Sequence, residues 1–314
     1  MDVFGDWWHM ETDTGLAHDT VLITGGLGFI GGALVESLRD ETAVRVLDSD
    51  TEGEVPPGVT LIEGDIREPA VVEEAVAGVD VIFHQAALVA VKDSVARPVE
   101  SHTVNVTGTL RILEAARRHD ARVVVASSAA IYGEPDSVPI TETDRLEPTS
   151  PYGLDKLAVD HYVRLYHELY GLETVALRYF NVYGPGQAGG DYSAVIDVFF
   201  QQARADEPIT INGDGEQTRD FVHIDDVVRA NRLAAETDAV GTAYNIATGE
   251  SVTVSALAAT IAEVVGSDSS RVYGEPREGD IRASRADISR AVADLGYEPA
   301  VDLRSGLETL RESQ

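Results

Sequence analysis

The chain has 314 residues, of which 44% are hydrophobic, so it is long enough for one large or two medium domains with a proper core. Its 54 acidic and 24 basic residues give a formal net charge of −30, which opposes binding to nucleic acid or to anionic lipid. The absence of cysteine excludes disulfides, thiolate metal sites and cysteine nucleophiles, and no metal site is predicted.

The acidic residues are spread along the whole chain, and Lys92 and Lys156 are its two lysines. This pattern predicts a halophilic source, since concentrated salt screens charge repulsion over short distances; an ordinary acidic protein is the alternative. No apolar run approaches the roughly 20 residues that span a bilayer. The acidic start of the chain does not resemble a signal peptide, so we expect a cytoplasmic protein.

Strand and helix patterns alternate through the first half of the chain. Residues 1–18 show no periodicity and are predicted to be a mobile leader. The elements predicted after it are a strand at 20–24, a helix ending near residue 38, strands at 43–48 and 59–65, a helix at 70–78, a strand at 80–87, a helix at 102–118, a strand at 121–128, a helix at 152–169 and a strand at 173–180. Such alternation predicts βαβ units in a parallel sheet.

The second half of the chain has shorter predicted elements. A glycine-rich loop is expected at 184–190, and a last amphipathic helix is expected near 302–313. We therefore predict that this half supplies a smaller domain or a lid over the sheet.

A glycine-rich turn, "TGGLGFIGG" (24–32), follows the first strand. Without side chains at Gly25, Gly28 and Gly31, the backbone can turn tightly and approach a pyrophosphate at the N-terminus of the next helix. Asp48 ends the second strand, where an acid binds ribose hydroxyls and repels a 2′-phosphate. The pattern favours NAD over NADP; a glycine turn that binds nothing is the alternative.

Three polar side chains are expected to meet near the end of a central strand. In "SPYGLDK" (150–156), Tyr152 and Lys156 lie one helical turn apart, where an ammonium can lower the pKa of the phenol and so create a base. An ordinary amphipathic helix can show the same spacing. Ser128, in "VVVASSAAIYGE" (123–134), adds a hydroxyl at the strand end, where parallel sheets bind ligands.

With these motifs the chain resembles the extended short-chain dehydrogenase/reductase superfamily, and within it the NDP-sugar 4-epimerases of the UDP-glucose 4-epimerase type. Further motifs that carry the resemblance are "HQAA" (84–87), "NVTGT" (105–109), "RYFNVYGPGQ" (178–187), "GDGEQTRDFVHIDDVV" (213–228), "YNIAT" (244–248) and "REGDI" (277–281). The resemblance implies a Rossmann-type doubly wound parallel sheet in an NAD-binding domain at 19–180, with segments near 219–248 returning to it. A smaller C-terminal α/β substrate-binding domain would comprise 181–218 and 249–314.

The resemblance also implies roles for individual residues in binding NAD. Tyr152 would be the base, and Lys156 would be its electrostatic partner and would hold the nicotinamide ribose. The residues expected to bind the cofactor are Gly25, Gly28, Phe29, Ile30, Gly31, Asp48, Asp65, Ile66, Ala86, Ala87, Asn105, Tyr152, Lys156 and Tyr179. Among them, Asp65 could bond the adenine amino group and Ile66 could pack on the ring, although an acid there could simply belong to a turn.

The expected substrate is a nucleotide sugar such as a UDP-hexose. Ser128 would bond the sugar 4-hydroxyl, Asn181 and Arg219 the diphosphate, and Arg277 and Asp280 the nucleoside. Guanidinium groups suit phosphate oxygens, and a diphosphate entering this acidic chain needs local cations. Ion pairs within the chain are the alternative for the two arginines.

The side chain at position 284 bears on the choice of sugar. Hexose-restricted epimerases carry a bulky aromatic residue a few positions past the "REGD" motif, whereas this chain has Ser284. A small residue there should leave room for a 2-acetamido group. The resemblance therefore admits N-acetylhexosamine forms besides UDP-glucose and UDP-galactose.

The implied reaction is 4-epimerisation, by oxidation of C4 to a ketone and reduction on the opposite face. A 4,6-dehydratase is disfavoured because those relatives carry Asp-Glu where this chain has Ala129 and Ala130, and a decarboxylase is disfavoured because it needs a glutamate at Ala130. A uronic-acid 4-epimerase stays open. A non-catalytic NAD-binding regulator is disfavoured because such proteins typically lose the tyrosine or the lysine. A homodimer is expected, built from the helices at 102–118 and 152–169.

Overall fold

A computed structural model of the chain describes residues 16–50, 55–187, 195–277 and 279–313. Most of the predicted leader at 1–18, and the end of the predicted loop at 184–190, lie outside the described residues. The described strands are β1 (Thr20–Thr24), β2 (Ala43–Asp48), β3 (Thr60–Glu63), β4 (Val81–His84), β5 (Arg122–Ser128), β6 (Thr174–Tyr179), β7 (Asn181–Tyr183), β8 (Ile209–Asn212), β9 (Thr218–Arg219), β10 (Phe221–His223), β11 (Thr242–Ile246), β12 (Val252–Thr253) and β13 (Arg271–Gly274).

Helices connect most of these strands. They are α1 (Phe29–Leu38), α2 (Pro69–Val76), α3 (Val91–Ala96), α4 (Pro98–His102), α5 (Thr109–His119), α6 (Pro151–Tyr170), α7 (Val195–Arg204), α8 (Ile224–Glu236), α9 (Val254–Val265), α10 (Ser289–Leu295) and α11 (Leu303–Ser313). Among the described residues, no helix is both long and apolar enough to cross a bilayer.

The main sheet has seven strands, all parallel, in the order β3-β2-β1-β4-β5-β6-β11. The succession of strands reverses between β1 and β4, and such a reversal opens a crevice at the carboxyl ends of the strands. The predicted Rossmann-type doubly wound α/β fold is confirmed. Its seventh strand, β11, comes from the part of the chain near 219–248.

Both faces of this sheet are covered, which explains why its strands read as nearly continuous apolar runs. Successive side chains point to opposite faces of a strand. Val21 and Ile23 therefore pack with α1 and α8 on one face, while Leu22 packs with α2, α5 and α6 on the other. The two buried layers fix the sheet between the helices and leave its carboxyl edge open.

The helix predicted at 102–118 differs in the structure. The helical stretch begins at Pro98 and contains a π-helical segment, Thr103–Gly108, between α4 and α5. Gly108 lies against Ile66, whose side chain would overlap any Cβ added there. The wide π-helical turn depends on packing between distant segments, and the local apolar period cannot reveal it.

The small sheets gather in the later part of the chain. β8 pairs with β13 and β7 with β10, both parallel, while β9 and β12 are antiparallel. A separate apolar cluster under them is built from α7, α9 and α11, and includes Phe199, Phe200, Leu257, Ile261 and Leu307. The exact division into two domains stays a prediction.

A buried ion pair joins α6 to the main sheet. Arg178 of β6 donates from Nε to Oδ2 of Asp160 at 2.8 Å and from its second terminal nitrogen to Oδ1 at 3.0 Å. The two side chains are 2% and 0% exposed. Arg178 also donates to the hydroxyl of Tyr132 at 2.8 Å, and Ser127 donates to Asp160 at 3.2 Å. These bonds satisfy both charges and fix the rotation of α6.

We expect Arg178→Gln to lower the free energy of unfolding by about 3–5 kcal/mol, because the Asp160 carboxylate would stay buried without its partner. Denaturant unfolding followed by circular dichroism measures the loss. Arg282→Gln is the control, since Arg282 and its partner Asp214 are both well exposed and their pairing contributes little. Equal effects of the two substitutions would contradict the argument.

Candidate active site

The turn between β1 and α1 has the backbone shape that its glycines predict. Gly25 has φ +68°, and a Cβ there would lie 2.8 Å from the backbone nitrogen of Ala86. A Cβ on Gly31 would overlap the carbonyl oxygen of Gly25. Both positions therefore need glycine, which keeps the turn close to the sheet edge.

The N-terminus of α1 is open to an anion. Among the described residues no side chain caps the helix at Gly28, and its first turn carries no acidic residue. The backbone N–H groups of a helix start that are not capped attract negative charge, as does the helix dipole. The arrangement suits a pyrophosphate beside the glycine turn.

A cleft of about 690 Å³ runs along the carboxyl edge of the sheet from this turn. Its size is in the range of pockets that hold organic ligands. The predicted site residues that line it are Gly25, Gly28, Phe29, Ile30, Gly31, Asp48, Asp65, Ile66, Ala86, Ala87, Ser128, Tyr152, Lys156 and Tyr179. These residues come from five strands and helices and from the turns that follow β1, β3 and β4, and the fold brings them to one surface.

Asp48 and Asp65 are both engaged with neighbouring groups in the cleft. Asp48 accepts from the backbone N–H of Leu27 at 2.9 Å, so it also supports the glycine turn. Asp65 accepts two bonds of 2.9 Å from Nε of Arg67, which hold the pKa of that carboxyl below its usual value. Their predicted contacts with ribose and adenine stay predictions.

Asn105 does not line the cleft, although it was expected to contact the cofactor. It is 1% exposed. Its side-chain oxygen accepts from the backbone N–H of Leu88 at 2.8 Å, and its nitrogen donates to the Leu88 carbonyl at 3.1 Å. The structure thus places Asn105 behind the wall of the cleft, where it fixes the backbone just after Ala86 and Ala87.

Ser128, Tyr152 and Lys156 converge where β5 meets the start of α6. Ser128 ends β5, and Tyr152 lies in the first turn of α6, which Ser150 caps by accepting from the N–H of Gly153. Lys156 donates from Nζ to the carbonyl oxygen of Ala126 at 2.7 Å. Its Nζ lies 6.0 Å from the centre of the Tyr152 ring. Hydroxyl, phenol and ammonium therefore share one end of the cleft.

The pKa of Tyr152 lies above its usual value in this structure, contrary to the lowered pKa that the neighbouring lysine predicts. Burial raises the pKa of Tyr152, and the Ser128 hydroxyl opposes this by hydrogen bonding. Burial lowers the pKa of Lys156 to about 8, with the Asp155 carboxylate acting in the opposite direction. The reason is desolvation, which penalises both charged forms and which the sequence spacing does not show.

A second, smaller cavity adjoins the cleft. Asn181, Arg219, Arg277 and Asp280 line it, together with the apolar side chains of Val195, Val198, Phe199 and Val254. Both cavities lie against β7, since Val182 and Phe180, which directly precedes the strand, line the first and Asn181 lines the second. Four of the six predicted substrate-binding residues are thus brought together in one cavity.

The polar residues of the second cavity also bond one another. Arg219 forms an ion pair with Asp280, which is the alternative that the sequence left open for it. Asn181 donates from its side chain to the carbonyl oxygen of Asp220 at 2.8 Å. Arg277 Nε lies 3.0 Å from the Asn212 side chain, which accepts in the amide orientation that satisfies both groups. Binding of a diphosphate by Arg219 would compete with Asp280.

Ser284 lies outside the lining of both cavities. It is 3% exposed, and its backbone N–H donates to the carbonyl of Thr218 at 3.1 Å. The predicted influence of this position on the sugar stays a prediction.

Several residues that shape the site were not predicted. Gln85 lines the cleft and donates to Asn231 at 3.2 Å, and Gln217 lines the second cavity. Asp220 accepts from the backbone N–H groups of Thr248, Gly249 and Ala286. The only sequence signal for Asp220 is its position directly after Arg219. Its hydrogen-bond donors lie too far along the chain to be inferred from the sequence.

Comparisons with known proteins agree with this geometry. The model of the NAD dependent epimerase/dehydratase family matches residues 21–247. The chain is 37% identical to a UDP-glucose 4-epimerase of Mycolicibacterium smegmatis over 298 residues, which cover 91% of this chain and 95% of that protein.

Two solved structures are similar over nearly the whole chain. UDP-glucose 4-epimerase from Thermotoga maritima, solved with UDP-glucose, has a TM-score of 0.89 and 36% identity, covering 94% of this chain and 98% of that one. UDP-N-acetylglucosamine 4-epimerase from Methanobrevibacter ruminantium, in complex with UDP-N-acetylmuramic acid, has a TM-score of 0.87 and 36% identity, covering 93% and 98%.

The lowered pKa of Lys156 can be measured directly, because the chain has two lysines. In protein labelled with ¹³C-lysine, we expect one side-chain resonance to shift with a midpoint near pH 8, since burial favours the neutral amine. Lys156→Arg should remove that resonance, and Lys92→Arg should leave it. If the resonance removed by Lys156→Arg does not titrate around pH 8, the burial argument is wrong.

Proposed function

The chain belongs to the NAD dependent epimerase/dehydratase family, and we propose that it is an NAD-dependent 4-epimerase of a nucleotide sugar, with UDP-glucose and UDP-galactose as the first candidate substrates. The observation that carries this proposal is the meeting of Ser128, Tyr152 and Lys156 in a cleft that begins at an open helix N-terminus. The adjoining cavity with Arg219 and Arg277 supports a diphosphate-linked nucleoside.

The residues at the Ser128 end of the cleft have distinct roles in this proposal. NAD, when bound, supplies the hydride acceptor and donor for carbon 4 of the sugar and a positive charge on its oxidised ring. Ser128 holds the 4-hydroxyl, and Tyr152 takes its proton and later returns one. Because burial raises the Tyr152 pKa, proton removal depends on positive charge near the phenol, and Lys156 contributes one such charge.

A 4,6-dehydratase fits the site less well. Elimination of water after oxidation needs an added acid and base, and the turn that follows Ser128 carries the methyl groups of Ala129 and Ala130. Neither methyl group can donate or accept a proton. Nucleotide-linked uronic acids are the second candidate class of substrate, because their 4-epimerisation needs neither the added acid nor the added base.

N-acetylhexosamine forms are included in the proposal for substrate. Ser284 is small, and a structural neighbour of this chain is described as a UDP-N-acetylglucosamine 4-epimerase. A serine occupies less volume than the aromatic residue that the resemblance associates with hexose-restricted enzymes.

We also propose a halophilic source and a cytoplasmic location. The net charge of −30, carried by scattered acids, supports the halophilic source, and the absence of cysteine supports the cytoplasmic location. Assays are therefore best run in molar KCl, which screens the repulsion between these acids.

A homodimer is proposed from the apolar surface of α6. Leu154, Leu165 and Leu169 are exposed, at 59%, 40% and 59%. Spacings of eleven and four residues place them on one side of a helix, away from the face that Val159 and Val163 bury against the sheet. A stripe of this kind on a long helix suits pairing with the same helix of a second copy.

The proposed activity is tested by NMR detection of products, with UDP-galactose and UDP-N-acetylgalactosamine offered separately and without added NAD. We expect both to be converted to their gluco epimers, because retained NAD is regenerated in each turnover. Tyr152→Phe should lower turnover by at least a hundredfold, as general bases typically contribute about 10²–10⁴.

Other outcomes of these assays distinguish the proposed function from its alternatives. Conversion of UDP-galactose alone would contradict the argument from Ser284 for N-acetylhexosamine substrates, but it would support a 4-epimerase. Formation of a 4-keto-6-deoxy sugar would overturn the epimerase proposal, as would near-normal turnover by the Tyr152→Phe variant.

The dimer is tested by sedimentation velocity of Leu165→Glu in molar KCl. We expect the wild type to sediment as a dimer and the variant as a monomer, because a buried carboxylate without a partner is costly at an apolar interface. Val292→Glu is the matched control, since Val292 is equally exposed at 41% but lies on α10. A monomeric wild type would refute the proposal.

A further inference from the structure

His84 ends β4 and is enclosed between two buried threonines. Its Nδ1 lies 2.7 Å from Oγ1 of Thr24, and its Nε2 lies 2.9 Å from Oγ1 of Thr109. His84 is 3% exposed, and the threonines are 0% and 2% exposed. Each hydroxyl has one proton to donate, so the other partners of the threonines determine the direction of these bonds.

The hydrogen bonds around His84 fix its tautomer. Thr109 donates its hydroxyl proton to the carbonyl oxygen of Asn105 at 2.5 Å, and a carbonyl can only accept. Nε2 of His84 must therefore carry the hydrogen and donate to Thr109. Burial, aided by the Lys156 ammonium, lowers the pKa of His84 to about 3, so the ring is neutral and Nδ1 accepts from Thr24.

This directed chain of hydrogen bonds reaches the wall of the cleft at both ends. At one end the Thr24 oxygen accepts from the backbone N–H of Ala86 at 3.2 Å. At the other end Asn105, whose carbonyl receives the Thr109 proton, holds both backbone groups of Leu88 with its side chain. The segment 85–88, which includes the cleft-lining Ala86 and Ala87, is thus held from both sides by uncharged groups.

We propose that His84, as the neutral Nε2–H tautomer, is a positioning residue that acts with Thr24 and Thr109 to hold the segment 85–88 in the shape that binds NAD. The inference rests on the proposed function for the identity of the ligand. A protonated ring would donate from both nitrogens and leave the Thr24 hydroxyl proton without an acceptor. It would also place a second cation near Lys156.

The main test compares release of NAD from purified holoprotein during dialysis in molar KCl. Thr24→Val keeps the shape of the side chain and removes its hydroxyl, so the N–H of Ala86 and Nδ1 of His84 lose their partner. We expect about tenfold faster release of NAD, since leaving buried polar groups without a partner is costly. Thr24→Ser restores the hydroxyl and should restore slow release.

Thr174→Val is the matched control for this test. Thr174 is also fully buried in the main sheet, and its hydroxyl donates to the carbonyl of Val163 at 2.7 Å. It lies at the opposite end of its strand from the cleft. We expect a comparable loss of stability with unchanged NAD release. Equal release from the Thr24→Val, Thr174→Val and wild-type proteins would overturn the proposal.

The tautomer has its own spectroscopic test. In ¹⁵N-histidine-labelled protein at neutral pH, the His84 ring should show the shifts of the Nε2–H form, with its signals assigned through their loss in His84→Gln. An Nδ1–H or doubly protonated ring would overturn the proposal.

Measuring turnover of the nucleotide sugar together with NAD release distinguishes failure of this inference from failure of the proposed function. If Thr24→Val releases NAD faster while the wild type fails to epimerise any nucleotide sugar, the proposed function falls and the inference stands. If the wild type epimerises normally and Thr24→Val retains NAD, the inference alone falls. The KM for the nucleotide sugar should change little in Thr24→Val, because Thr24 lies away from the second cavity.

Discussion

Two buried charges hold helix α6 against the sheet, and the geometry of the site depends on this contact. Lys156 donates to the carbonyl of Ala126 in β5, and Asp160, one turn later, receives two bonds from Arg178 in β6. The Lys156 contact fixes the distance of α6 from the sheet. The contact between Asp160 and Arg178 fixes the rotation of the helix. Tyr152, in the first turn of the same helix, is thereby carried to Ser128 at the end of β5. Charges are suited to this task because a buried charge tolerates few alternative partners.

The same burial that orders the site also sets its proton chemistry. Desolvation raises the Tyr152 pKa and lowers the Lys156 pKa to about 8, so at neutral pH the phenol keeps its proton while Lys156 is still mostly charged. The pair therefore does not form a base merely by being adjacent. Charge brought into the cleft by ligands can shift this balance, which would couple proton removal to binding.

The groups that hold the cleft wall near Ala86 differ in charge from those in the second cavity. The wall near Ala86 is held by hydroxyl, imidazole and amide groups, whereas the second cavity contains Arg219 and Asp280 as an ion pair. A neutral wall adds no repulsion to a cleft that must accept a pyrophosphate in a chain of net charge −30. Arg219 can exchange the Asp280 carboxylate for a phosphate, and Asp280 would then lose its ion-pair partner.

The sequence by itself determined the alternation of strands and helices, the glycine turn and the positions of Ser128, Tyr152 and Lys156. These features follow from hydrophobic periods and residue spacings within single segments, because neighbouring residues determine the local backbone. Tertiary structure alone decided the π-helical break before α5, the placement of Asn105 behind the cleft, and the direction of the Tyr152 pKa. It also decided that Arg219 pairs with Asp280, 61 residues away. Each of these depends on burial or on a partner from a distant segment, and neither is encoded in the local pattern.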